Sequence, residues 1–187
     1  MWPEPFSSES HLLEGAAQGD AAAVRALIDS VGPTVYGFVF ARVGGDEHAA
    51  EDLLQETLVE ALRSARSFRG ESSLRTWVCT IARRRLARHY EAERRQAVAE
   101  SGLALLGALG AVGGDAGRDE LERRDEIVRA MGRLPVVHRQ VLVLKYLDDL
   151  SVGEIATELG RTSVQVQSLL QRARDGLRRV LEGGGHD

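Results

Sequence analysis

The chain has 187 residues, 43% hydrophobic and 28% charged, with a formal net charge of −4. Those figures describe one or two small folded domains and exclude a disordered chain or a uniformly basic nucleic-acid coat. Cys79 is the single cysteine, so no internal disulfide exists, and no CxxC pair or metal-spaced His/Cys cluster is present.

Arginine outnumbers lysine 23 to 1 and asparagine is absent. Arginine abundance is therefore a chain-wide bias and says little about nucleic acid by itself. Its distribution says more. Residues 1–62 carry 11 acids and 2 bases, residues 63–95 carry 10 arginines and 3 acids, and residues 161–180 carry five arginines against Asp175. An acidic segment followed by two basic ones suits a partner surface beside a nucleic-acid surface.

In chain order the periodicity is helical nearly throughout, and no strand signal competes with it. Residues 10–18 predict a short helix stopped by Gly19. Asp20 caps the next, which carries Val24, Leu27, Ile28 and Val31, is disturbed at Gly32-Pro33, resumes to Val43 and ends at Gly44-Gly45. Asp46 opens a helix with Leu53, Leu54, Leu58, Ala61 and Leu62 on one side and Glu47, Glu51, Asp52, Glu56 and Glu60 on the other. A loop around Arg66–Ser72 leads into a long helix from Ser73 to about Arg95. Leu74, Trp77, Val78, Ile81 and Leu86 form its inward side, and Arg84, Arg85 and Arg88 group near one flank, widened by Arg83.

Residues 101–118 hold six glycines among small apolar residues, the composition of a mobile linker. Leu103–Val112 is the longest apolar stretch; it permits a short amphipathic helix but falls well under the ~20 residues that span a bilayer. The amino terminus lacks the basic and apolar regions of a signal peptide, so a cytoplasmic protein without membrane insertion is expected. After the linker, a charged helix from Asp119 presents Leu121, Ile127, Val128 and Met131 inward. Pro135 opens another carrying Val137, Val141, Leu142, Leu144 and Leu147. The expected fold is all-α: two small helical domains, 8–96 and 119–182, joined by a flexible linker over 97–118.

The last two helices read as a helix-turn-helix. Ser151 with Glu154, and Thr162 with Gln165, are capping-box pairs, and Gly160 between them supplies the turn. Val166, Leu170, Ala173, Leu177 and Val180 make the inward stripe; Gln167, Ser168, Gln171 and Arg172 face away. Glutamine and arginine make paired hydrogen bonds to adenine and guanine edges in the major groove.

Phe68, Arg69, Gly70, Glu71, Ser72 and Ser73, followed by Arg75 and Trp77, combine a glycine-bearing polar loop with aromatic residues ahead of a basic helix. That pattern suits phosphate attraction and capture of an unstacked base. A small metal-dependent enzyme is an alternative, prompted by His48, Glu51 and Asp52 on one helix face, with no second ligand cluster beside them. A repressor built on the helix-turn-helix is a further alternative, as is a purely structural adaptor, which leaves the recognition helix unexplained.

Ala50-Glu-Asp-Leu-Leu-Gln-Glu-Thr57, Phe68-Arg-Gly-Glu-Ser-Ser-Leu-Arg-Thr-Trp77, Ile81-Ala-Arg83 and the 135–174 block together resemble the extracytoplasmic-function sigma factors of bacteria. The resemblance covers nearly the whole chain outside the linker and extreme termini. It implies a sigma-2 and a sigma-4 domain that bind core RNA polymerase and direct it to promoter DNA, a specificity factor rather than an enzyme, with no cofactor. It further implies that Asp52, Gln55 and Glu56 meet the polymerase. Phe68–Ser73, with the basic helix that carries Arg75, Trp77, Arg84 and Arg88, would hold the unpaired −10 strand. Gln167, Ser168, Gln171 and Arg172 would read the −35 duplex, and an anti-sigma factor would hold the protein inactive. Arg84 and Arg88 stand where the family usually has Asn and Asp, and Gln167 and Leu169 stand where it is commonly basic.

Overall fold

The computed structural model describes residues 9–101 and 119–183, and every regular element among them is helical. In order these are α1 (Glu9–Ala17), α2 (Ala21–Arg42), α3 (Glu47–Arg63), a 3-10 turn (Ala65–Ser67), α4 (Leu74–Ser101), α5 (Asp119–Gly132), α6 (Val136–Leu142) running into a π-helical turn (Val143–Leu147), α7 (Val152–Leu159) and α8 (Ser163–Gly183). The anticipated Leu103–Val112 helix lies outside the described residues. No helix among the described residues is long and apolar enough to cross a membrane.

The chain divides into two compact units, Met1–Arg88 and His89–Asp187. In the first unit, α2 buries Ala23, Leu27, Val31, Val35 and Val39, α3 buries Ala50, Leu53, Thr57 and Ala61, and α4 buries Leu74, Val78, Ala82 and Leu86. These rows, spaced mostly by four residues, are the ridges that interdigitate when helices pack. Leu12, Leu13 and Ala16 of α1 close the cluster.

Aspartates cap two of these helices as expected. Asp20 accepts from the Ala22 and Ala23 amides at 2.8 and 3.4 Å, and Asp46 accepts from the Ala49 amide at 3.0 Å. Gly19, Gly44 and Gly45, all at positive φ, make the reversals.

One expectation fails at Gly32-Pro33: α2 passes through it as a single 22-residue helix. An interior proline costs roughly 3 kcal/mol. Fully burying each of Val31, Val35 and Val39 contributes about 1.5–3 kcal/mol, so the continuous buried row outweighs the local penalty.

In the second unit, α6, α7 and α8 pack Val141, Leu142, Leu144, Ile155, Ala156, Val166, Leu169, Leu170 and Ala173 into one core, with Leu177 and Val180 half-buried at its edge. α5 contributes through its last turn, Ala130 and Met131, and through Leu134 beyond it. Ile127, expected inward, is 43% exposed because only the end of α5 meets this core. Gly176 lies where an added Cβ would come within 3.3 Å of Leu134 Cδ2, so the link between α5 and α6 packs closely on α8 there. The end of α4 belongs here too: Glu93 accepts from buried Arg139 at 2.6 and 2.8 Å and faces His89 Nε2 at 3.4 Å.

Candidate functional site

The helix-turn-helix is built by two capping boxes and one glycine. Ser151 Oγ accepts from the Glu154 amide at 3.3 Å while Glu154 Oε2 accepts from the Ser151 amide at 2.8 Å. This bonding holds the Glu154 carboxyl below its ordinary pKa. Thr162 and Gln165 repeat the arrangement at α8, at 3.2 and 2.9 Å. Between the helices Gly160 sits at φ 60°, ψ 40°, a conformation that a Cβ penalises, and the Arg161 amide returns to the Ala156 carbonyl at 2.9 Å.

α8 buries Val166, Leu169, Leu170 and Ala173 and leaves Val164, Gln167, Ser168, Gln171 and Arg172 exposed. Leu169, in a place commonly basic in the resembled family, is only 5% exposed and belongs to the core, so it offers nothing to a phosphate. Two of the expected readers are held before any ligand arrives. Gln171 Nε2 donates to both carboxylate oxygens of Asp175 at 3.2 Å, and Arg172 Nε donates to the Ser168 carbonyl at 3.3 Å. His138 of α6 lies close enough to Arg172 to feel its charge. Partial burial, then that charge, lower the imidazole pKa below its ordinary value.

The loop before α4 is fastened at both ends. Ser67 Oγ donates to the Ser64 carbonyl at 2.7 Å and the Phe68 amide to the Ala65 carbonyl at 3.1 Å. At the other end Ser73 Oγ accepts from the Thr76 amide at 3.2 Å, and Glu9 of α1 accepts from the Leu74 amide at 2.8 Å. A carboxylate from 65 residues away thus caps α4. Gly70, at φ 71°, turns the chain.

The structure separates the residues expected here into two sets. Arg69, Gly70, Glu71, Ser72 and Ser73 are exposed. Phe68 and Trp77 are half-buried with ring centroids 5.3 Å apart, so each ring already has an aromatic neighbour. Arg75 Nε donates to the Ser30 carbonyl of α2 at 3.1 Å.

On the basic helix, Arg84 and Arg88 are exposed, as expected. Arg85 is not with them. It turns to α3 and donates to Glu56 at 3.2 Å and Glu60 at 2.8 Å. Arg83 lies 5.8 Å from the Phe38 ring centroid. The basic face is narrower than the arginine count implies, because two acidic residues one helical turn apart draw Arg85 inward.

Asp52, Gln55 and Glu56 are exposed together on α3, and Val59, 44% exposed, extends the same face at the i, i+3, i+4, i+7 spacing. Sequence reading missed Glu9, Val59 and Val164. Glu9 left no local signal. The two valines did, as apolar residues on the polar sides of amphipathic helices.

Comparison with known proteins matches two regions of the chain. Residues 27–96 match Sigma-70 region 2 and residues 124–176 match Sigma-70, region 4. The ECF RNA polymerase sigma factor BldN of Streptomyces coelicolor is 31% identical over 180 residues, covering 91% of this chain; the chain spans 64% of BldN's length. The ECF RNA polymerase sigma factor SigL of Mycobacterium tuberculosis is 30% identical over 181 residues, covering 91% of this chain and 95% of SigL. Among solved structures, the sigma factor RpoE in complex with the anti-sigma factor NepR from Bartonella quintana aligns with a TM-score of 0.47 at 23% identity, over 85% of this chain and 96% of that one. With both regions matched in order and SigL aligned nearly end to end, the chain belongs to the extracytoplasmic-function RNA polymerase sigma factors.

Proposed function

We propose that this chain binds core RNA polymerase and directs it to promoters by reading a −35 duplex with α8 and holding the unpaired −10 strand on the loop before α4. In this reading residues 8–96 form the polymerase and −10 domain, 119–182 the −35 domain, and 97–118 the tether. The observation that carries it is the helix-turn-helix: a recognition helix bounded by its own cap, with Gln167, Ser168, Gln171 and Arg172 exposed opposite a closed core.

Each part has a physical task. Gln171 exchanges its bonds to Asp175 for a base edge, and Arg172, its Nε already satisfied, keeps its two terminal nitrogens for a guanine or phosphate. Arg69 and the hydroxyls of Ser72 and Ser73 supply donors around an extruded base. Arg84 and Arg88 supply the sequence-independent attraction to the backbone. Asp52, Gln55 and Glu56 supply an anionic dock for a basic surface of the polymerase, with Val59 as its apolar contact. Strand opening follows from tighter binding to the melted strand than to the duplex. An anti-sigma factor that covers these surfaces is the expected regulator.

Run-off transcription with bacterial core polymerase and a genomic promoter library tests this. Transcripts that start at a recurrent two-element sequence, and only with the chain present, are the expected result. Tight dimeric binding to a palindrome without core polymerase would instead make the chain a repressor.

A further inference from the structure

We propose that Val164 is a specificity residue that reads the 5-methyl group of a thymine at the leading end of the −35 element. The inference rests on the DNA-reading role of α8 proposed above and adds to it a residue and a base.

Val164 is 74% exposed, more than any other large apolar residue among the described ones. A solitary exposed valine is ordinary on a protein surface. Its position here is not. An α-helix advances about 100° per residue, so Val164, Ser168 and Gln171, spaced i, i+4 and i+7, lie along one line. That line faces directly away from the buried Val166–Leu170–Ala173 stripe. It is the middle of the exposed face, and Val164 stands one turn ahead of Ser168, in the first turn of the helix. Helix-turn-helix proteins place that turn deepest among the base edges.

Neither packing nor helix propensity accounts for a valine there. It touches no core, and a β-branched side chain is a poorer helix former than alanine. Capping does not require it either, since Thr162 and Gln165 complete the box on both sides of it. The major groove offers one apolar feature that distinguishes a base pair, the thymine methyl, and a short branched alkyl group suits it. The same line also shows where contact ends: two turns beyond Ser168 stands Asp175, whose negative charge is unfavourable beside phosphates. Val164, Ser168 and Gln171 therefore form a short reading row with an apolar front and polar rear.

The test uses holoenzyme reconstituted from the full chain and core polymerase, on a promoter recovered from the run-off library. Each thymine of its −35 element is replaced in turn by deoxyuridine, which deletes only the methyl group. At one position the wild-type holoenzyme should lose roughly fourfold in affinity, the worth of one buried methyl-sized group. A Val164→Ala holoenzyme should bind the original promoter more weakly by a similar factor and be indifferent to deoxyuridine at that position alone. Equal losses in wild type and variant at every position, or a −35 element without thymine, would overturn the assignment. Failure of the wild-type chain to support any promoter-specific initiation would instead overturn the sigma reading itself. Val164 lies outside the core, so unchanged helicity of the variant and unchanged binding to core polymerase confirm that the comparison is between folded proteins.

Discussion

At the scale of single residues, two side chains in the first unit depart from what their neighbours in sequence announce. Thr57 occupies a core position on α3, and its buried Oγ1 has no hydrogen-bond partner among the described residues. Leaving a buried hydroxyl unsatisfied costs about 1–3 kcal/mol. Thr57→Val keeps the shape and removes the polar atom, so the urea unfolding midpoint should rise by the equivalent of about 1 kcal/mol; a fall would reveal a bond the threonine was making. Glu9 does the reverse, adding a hydrogen bond that α4 does not provide for itself. Glu9→Ala should lower stability by about 1 kcal/mol, in the range of lost helix caps, while Glu9→Gln, which keeps an acceptor, should lose less. Thermal unfolding of the two variants side by side decides it, and an unchanged alanine variant would show that the contact contributes nothing. Thr57 was legible only as a polar residue inside an apolar stripe. Glu9 was not legible at all, because its partner is brought to it by the packing of α1.

At the scale of elements, local chemistry was the better guide. Both capping boxes, the αL glycine at position 160 and the inward stripe of α8 were readable because each depends on residues within one or two turns. The continuity of α2 through Pro33 was not, since the buried row that sustains the helix acts through its packing on α1 and α3. The π-helical turn at Val143–Leu147 also escaped the periodicity.

The helix-turn-helix carries a pH dependence of its own. His138 has its pKa held below the ordinary 6.5 by partial burial and then by Arg172. The unfolded chain therefore takes up the proton first. The stability that neutral His138 contributes is complete above pH 6.5 and is lost as pH falls from there through the folded-state value. Hydrogen-exchange protection of α6–α8 amides should decline as pH falls below 6.5 once corrected for intrinsic exchange, and His138→Gln should flatten that decline. An equally steep decline in the variant would place the proton elsewhere.

At the scale of the whole molecule, charge is partitioned along the chain: acids dominate residues 1–62, and arginines gather on α4 and α8. The structure refines that partition by spending Arg85 on Glu56 and Glu60 and Arg139 on Glu93. Asp52, by contrast, is exposed beside Gln55 and Val59. Asp52→Arg should therefore weaken co-purification with core polymerase by about tenfold or more while leaving unfolding within roughly 0.5 kcal/mol of wild type. Glu56→Arg should weaken co-purification and also lower stability, since it sets a second guanidinium group against Arg85. Undiminished co-purification of the Asp52 variant would remove α3 from the proposed polymerase interface. The amino-acid sequence by itself determined the all-helical class, the caps and turns, the inward stripes and the charge segregation, all of which arise from interactions between residues close in the chain. Only the tertiary structure decided which arginines remain at the surface, what fastens the loop before α4 and where α2 does not break, because those outcomes depend on partners that lie far away in sequence and meet only when the helices pack.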